Sequence, residues 1–241
     1  MDRKRDPILI TGAARSGVSM IAGVVSLCGA WGGIKPGAAD YDGRTSFENS
    51  EVAESIVKPF LRGIAADPNG QFPLPDIAKV ADVPDSFTET WGRRVHRVWL
   101  GQGYAGGPVF YASPRTCLVW PVWHRAFPDA KWVIVRRNDD DIVRACTQTG
   151  FMKAHKTDAG WRAWVDVHKQ RFDEMIRAGL QVWQIWPQRM IRGHIGELRQ
   201  LIADHLGLTW DETAVTDFIA PILWKGGVFQ IADGKPSDGG E

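Results

Sequence analysis

At 241 residues the chain has room for one large domain or two small ones, and a single core of that size needs neither disulfide nor metal for stability. Hydrophobic residues at 44% and charged residues at 24% are ordinary globular usage, which excludes wholesale disorder, collagen and coiled coil. Lysine plus arginine (29) against aspartate plus glutamate (28) leaves a formal charge of +1. That balance gives no electrostatic reason to expect nucleic acid or a membrane surface as partner, while a local basic pocket stays open.

The longest apolar run, Val18 to Trp31, is broken by Ser19, Gly23, Ser26 and Gly29 and is too short to span a bilayer. The charged start, Met1 to Pro7, leads into a strand-like run and a glycine turn, so no signal peptide is expected. Cys28, Cys117 and Cys146 are odd in number, far apart and without C-x-x-C spacing. Neither a disulfide framework nor a zinc site is therefore expected, and a reducing, cytoplasmic setting fits. The 12 tryptophans are the compositional outlier, read chiefly as core packing with a minority left for a substrate cleft.

Pro7 to Thr11 (PILIT) is an apolar run ahead of a glycine-rich turn, Gly12 to Gly17, and the spacing from Val18 onward predicts a helix stopped at Gly29. After a loop over 32–46, helices are predicted near 49–64 and over 85–101. Between them, 66–84 is rich in Pro, Asp and Gly and reads as a linker or surface excursion. Val109 to Ala112 is a candidate strand, and Pro114 at a first-turn position opens a helix reaching about Ala126. Lys131 to Val135 (KWVIV) is a buried strand, followed by a helix from Asp139 to Thr149 with acids in its first turn. Trp161, Trp164, Val165, His168, Phe172, Met175 and Ile176 recur at helical spacing, so Asp158 to Ala178 is a long amphipathic helix. Leu180 to Trp186 is a third strand, Met190 to Leu206 a further helix, and Asp211 to Leu223 closes the ordered part. Strands alternating with helices imply a parallel sheet covered on both faces. One domain over 1–225 is expected, with a loose Gly- and Asp-rich tail over 226–241.

The turn Gly12-Ala13-Ala14-Arg15-Ser16-Gly17-Val18-Ser19 has the spacing of the phosphate loop G-x-x-x-x-G-K-[ST], with Val18 where the lysine belongs. Successive backbone N–H groups and a helix N-terminus still make an anion cradle, and Arg15 can bring charge from the other side of the loop. What is missing is the lysine that neutralises β- and γ-phosphates. The loop therefore suits a phosphate that is not the end of a triphosphate. The plain alternative is a strand–helix turn that binds nothing. Elsewhere the signals are weaker. The histidines at 96, 124, 155, 168, 194 and 205 form no metal-ligand pair, and no G-x-S-x-G elbow occurs. His168, on the apolar stripe, reads as a core residue, and Arg93, Arg94 and Arg97 read as a solvated helix face.

On these residues the sequence resembles the sulfotransferase superfamily, specifically bacterial proteins in which a strand is followed by G-x-x-R-S-G-[TV]-S. Phe47-Glu48-Asn49 is similar to that family's F-E-N segment. Ser113-Pro114-Arg115-Thr116-Cys117, followed by Trp123 and Phe127-Pro128-Asp129-Ala130, resembles its K-D-P-R-x-C…W…F-P-D-A stretch. Val135 to Asp141 resembles its V-x-R-[ND]-P-x-D block, and Leu206-Gly207-Leu208 with Phe218-Ile219 its closing segment. The likeness covers most of the chain.

The resemblance implies a three-layer α/β sandwich with a central parallel sheet, of the P-loop NTPase-like sulfotransferase fold. It implies transfer of a sulfuryl group from 3'-phosphoadenosine 5'-phosphosulfate (PAPS) to a hydroxyl or amine, leaving 3',5'-adenosine bisphosphate (PAP), with no metal required. The donor's 5' end would lie on Gly12, Ala14, Arg15, Ser16, Gly17, Val18 and Ser19. Arg137 matches the arginine that holds the 3'-phosphate through paired, charge-assisted bonds. Glu48 matches the general base, with Arg15 assisting at the reacting group. Phe47, Glu48 and Arg115 would face a small or carbohydrate-like acceptor, Arg115 either as a second anion contact or as a structural partner to an Asp. Loops 32–46 and 66–105 would line the acceptor side.

Four positions depart from the family pattern. Ala112-Ser113 stands in place of Lys-Asp, Ala145 in place of a serine eight residues after Arg137, and Asp139 in place of a proline. Ser113, Arg136 or Lys35 are the candidate substitutes. Two other readings stay open: a P-loop nucleotide or small-molecule kinase, and a catalytically silent binding module of the same fold.

Overall fold

In the computed structural model the residues described are 6–33, 38–39, 45–191, 194–219, 222–225 and 228–231. The chain opens with β1 (Ile8–Gly12), α1 (Val18–Leu27) and two short paired strands, β2 (Ala38–Ala39) and β3 (Thr45–Ser46). Helix α2 (Ser50–Val52) runs through a wide turn, Ala53–Val57, into α3 (Lys58–Gly63); α4 (Ile77–Ala81) and α5 (Asp85–Gly101) follow. Next come β4 (Phe110–Ala112), a tight turn at Thr116–Val119, α6 (Trp120–Ala126), β5 (Lys131–Val135), α7 (Asp139–Thr147), α8 (Asp158–Arg177) and β6 (Val182–Ile185). The last elements are α9 (Pro187–Ile191), α10 (Gly196–Gln200) with a wide turn at Leu201–His205, α11 (Glu212–Ile219), β7 (Ile222–Lys225) and β8 (Val228–Ile231).

Four strands form a parallel sheet in the order β4-β1-β5-β6, with Ile10 between Ala112 and Val133. Every residue of β1 is buried, as a strand covered on both faces must be. Because side chains alternate, Leu9, Tyr111, Trp132 and Ile134 meet one helical layer that includes Val57, Trp91, Trp123 and Phe172. Ile8, Ile10, Phe110, Val133 and Ile185 meet the other, built from α1, α10 and α11. This is the three-layer α/β sandwich expected. Trp99, Trp123, Trp132 and Trp161 are fully buried, which accounts for a good part of the tryptophan excess as core. A third cluster, with Ala13, Ile142, Val143, Trp161 and Trp164, joins α7 and α8 to the end of β1.

Some boundaries differ from the sequence reading. The single helix expected over 190–206 is divided, with α9 closing before α10 starts at Gly196. The segment 211–223, expected to close the ordered part, holds α11 and the start of β7. Val228–Ile231, inside the stretch expected to be loose, pairs antiparallel with β7, and the rest of the tail lies outside the described residues. The stretch read as a linker at 66–84 holds α4 and, before it, a strap tied to the α7–α8 connection. Trp164 Nε1 donates to the Gly70 carbonyl (3.0 Å), Gln71 Nε2 donates to the Phe151 carbonyl (2.8 Å), and Gln71 Oε1 accepts from the Lys153 and Ala154 amides (2.8 and 3.2 Å). A polar side chain that satisfies three backbone groups turns a spacer into structure. Among the described residues no helix is long and apolar enough to cross a membrane.

Candidate anion site at the sheet's switch point

In sequence order the strands sit second-first-third-fourth, so chain connections reverse direction between β1 and β5. The crevice outside the carboxyl ends of two such strands is where open α/β sheets take ligands. Strand β1 delivers the Gly12–Gly17 loop to that point, and β5 delivers Arg136, Arg137 and Asn138. Both halves of the predicted donor site therefore meet there.

The loop is tightly bound to itself. The Ser16 amide donates to the Ala13 carbonyl (3.1 Å), and the Met20 and Ile21 amides donate to the Gly17 carbonyl (3.0 and 3.2 Å). Arg15 has φ 71° and Gly17 φ 106°, both left-handed. Glycine is required at position 12 because a Cβ there would lie 2.5 Å from Ser16 Oγ and 2.6 Å from the Val135 carbonyl oxygen. Ser16 is 1% exposed, and its hydroxyl has no hydrogen-bond partner among the described residues. A buried hydroxyl in that state costs free energy that a bound oxyanion would recover. Ala14 is half-buried and Ser19 is exposed in the first turn of α1. Val18 is buried in the core beneath the loop, so the place of the missing lysine is filled by packing.

Arg137 is 3% exposed, and its Nη1 donates to the Arg15 carbonyl (2.6 Å). Burial pulls its pKa down to about 10; Asp141 opposes this, and the cations of Arg15 and Arg144 add to it. The depression is chiefly the cost of taking a guanidinium out of water, a cost that a bound anion offsets. Of the three acids that follow, Asp139 and Asp140 line the crevice beside Arg137, and each of the three is paired with another cation. Asp139 pairs with Lys169 (2.7 Å), Asp140 with Arg162 (2.6 Å) and Asp141 with Arg144 (3.4 Å). Asn138 caps α7, its Oδ1 accepting from the Asp140 and Asp141 amides (2.9 and 3.4 Å). Ala145 is fully buried in α7, where a family serine would stand. Arg136 is committed elsewhere: it lies 4.6 Å over the Phe172 ring and donates to Gln184 Oε1 (2.9 Å). Beside Arg137 opens a cavity of about 500 Å³, whose lining includes Ala13, Asn138, Lys169, Phe172 and Trp186.

The other expected residues gather at the β1/β4 edge. One nitrogen of Arg115, Nη2, lies 2.6 Å from both Glu48 oxygens, and the Tyr111 hydroxyl donates to Glu48 Oε1 (3.0 Å). Burial alone would lower the pKa of Arg115, but Glu48 and Tyr111 raise it. Burial, reinforced by Glu48, pushes the Tyr111 phenol well above its usual range. Arg115 is thus paired with a carboxylate, but with Glu48 and not with the Asp expected. Ser113 is fully buried, its Oγ accepting from the Arg115 amide (3.2 Å). Thr11 Oγ1 donates to the Ser113 carbonyl (3.1 Å) and accepts from the Cys117 amide (3.0 Å), fastening β1 to the turn after β4. The strap crosses above, where a Cβ at Gly70 would sit 3.1 Å from Arg115 Cγ. Phe47 is not brought into the crevice; it is buried in the core under α1, edge-on to Phe218 at 6.1 Å. Lys35 lies outside the described residues. Tyr111 carried no motif in the sequence and was missed as a partner of Glu48.

No family model and no curated protein matches the chain. Among solved structures it is similar to the sulfotransferase domain of the Synechococcus PCC 7002 olefin synthase, at 16% identity and a TM-score of 0.50, over 90% of this chain and 79% of that one. It is also similar to sulfotransferase STF1 of Mycobacterium tuberculosis H37Rv, at 18% identity and a TM-score of 0.49, over 94% and 72% of the two chains. The first likeness establishes the architecture: the chain has a sulfotransferase-like α/β fold, as the motifs implied. Among the described residues no group of three His, Cys, Asp or Glu side chains is placed to hold a metal.

Proposed function

We propose that the chain transfers a sulfuryl group from PAPS to a hydroxyl or amine of a small or carbohydrate-like acceptor. The observation that carries this reading is the meeting of a lysine-free phosphate loop with the buried, charge-rich Arg137 at one switch point. The residues present suit the donor. The unpartnered Ser16 hydroxyl and the loop amides would hold its 5' end with Arg15 and Ser19, and Arg137 would fork its 3'-phosphate. When bound, the donor supplies an activated sulfuryl group on a phosphate leaving group. The N-terminus of α1 and Arg15 stabilise the charge that grows on the bridging oxygen, without reorganising as it does so. Glu48 takes the acceptor proton, with Tyr111 and Arg115 fixing its carboxylate. The three buried, unpaired cysteines suit a reducing cytoplasm.

The kinase reading loses support at Val18, which is packed into the core where a phosphate-binding lysine would have to reach outward. The silent-module reading rests on Ala112 and Ala145, which stand where the resemblance expects a lysine and a serine, and on the capture of Glu48 by Arg115. Calorimetric titration with PAP, with Mg-ATP as control, tests the donor site on the wild type and Arg137→Ala. Micromolar PAP binding that the variant loses is the expected outcome, and preference for Mg-ATP would overturn it. Sulfuryl transfer to a panel of hydroxyl and amine acceptors, in Glu48→Gln against wild type, then separates enzyme from silent binder.

A further inference from the structure

We propose that Arg137 is a positioning residue for the phosphate loop as well as a ligand for a phosphate: it is the strut that holds Arg15 in its left-handed conformation. Only two non-glycine residues among those described have positive φ, Arg15 and Ala65, and Arg15 sits at the centre of the loop. An L-residue keeps such a backbone only where its surroundings over-determine it. Here the restraint is visible. The Arg15 carbonyl accepts from Arg137 Nη1 at 2.6 Å, across 122 residues of sequence. Arg137 is a stiff base for it, 3% exposed, one residue before the Asn138 cap and two after the end of β5.

Left-handed residues at 15 and 17 are what turn successive amides of a loop toward one concavity, so gripping the peptide after Arg15 presets the cradle. A guanidinium carries five donors, so holding one carbonyl leaves its fork geometry compatible with a phosphate. The two ends of the site are therefore mechanically joined. A 3'-phosphate on Arg137 would steady the loop that holds the 5' end, and a 5'-phosphate alone would still depend on Arg137. The nucleotide part of this rests on the proposed donor reading; the strut itself does not.

The test has two arms. Hydrogen exchange on the full, ligand-free chain compares wild type with Arg137→Ala and with Arg137→Met, which keeps the buried stem and deletes the donors. The Ser16, Met20 and Ile21 amides, bonded to Ala13 and Gly17, are expected to exchange about tenfold faster in both variants, with α8 unchanged. Where the alanine variant fails to fold, the methionine variant carries the comparison. Loop exchange within about twofold of wild type, or equal acceleration of the loop and α8, overturns the strut. The second arm titrates 5'-AMP, which has no 3'-phosphate. A strut predicts about a tenfold loss of 5'-AMP affinity in Arg137→Met beside a larger loss for PAP. A PAP-only loss overturns it. If the wild type binds neither nucleotide while the loop still loosens in the variants, the donor reading fails and the strut stands.

Discussion

The two edges of β1 treat charge in opposite ways. On the β5 side, Arg137 is buried near Arg15 and Arg144, its pKa falls to about 10, and the nearby acids pair mainly with other cations. On the β4 side, Arg115 is as deeply placed, yet its pKa rises because Glu48 lies against it. Burial acts on both arginines in the same direction; at Arg115 the carboxylate lying against it reverses the sign, and at Arg137 the pull of Asp141 does not. The β5 side holds a buried guanidinium among acids that each pair with another cation, and suits an arriving anion. The β4 side is complete in itself and has to be disturbed before it can react.

The sharpest way to break this contrast is Arg137→Ala, which should weaken PAP binding by about 100-fold, the loss expected for a forked, charge-assisted pair, as measured by calorimetry. Gly12→Ala forces a methyl against Ser16 and the Val135 carbonyl and should cost about 2 kcal/mol in urea unfolding while abolishing loop binding. Arg115→Ala leaves a half-buried Glu48 carboxylate without its cation. It should cost about 1.5 kcal/mol, and Arg115→Met combined with Glu48→Gln should recover most of that. The smallest effect concerns pH. Because the folded pKa of Arg137 lies below its ordinary value of 12.5, the arginine loses its proton earlier in the folded protein. PAP affinity should therefore fall as pH rises through about 10, and the Arg137→Ala variant should show no such step. Affinity that is level across that range in the wild type would show that Arg137 keeps its proton there, and the Arg137→Ala titration alone would then decide its place in the site.

Much of the fold was legible because its signals are local. PILIT and KWVIV are short apolar runs beside turn residues, and both became strands within a residue of their expected limits. The Gly12–Ser19 turn was legible for the same reason, being eight consecutive residues. What escaped were features made by distance in sequence. Glu48 and Arg115 are 67 residues apart, Trp164 and Gly70 are 94 apart, and no spacing rule joins either pair. Arg136 and Arg137 look interchangeable in a list of basic residues. Strand alternation, carried one residue past β5, sends one to Phe172 and the other to the loop. The helix expected over 190–206 failed because apolar periodicity persisted where the backbone did not. Phe47 stood in a motif beside Glu48, and the structure spent it on the core.

Thr11 has a bearing on reach. Its hydroxyl stands one residue before the loop, donating to the Ser113 carbonyl and accepting from the Cys117 amide. In the proposed transfer, little error would be tolerated in the separation between a donor on the loop and Glu48 as base. One β-branched alcohol in β1 thus gauges how far the cradle stands from the Glu48 edge. A valine would keep the shape and lose the gauge, leaving that span free to drift.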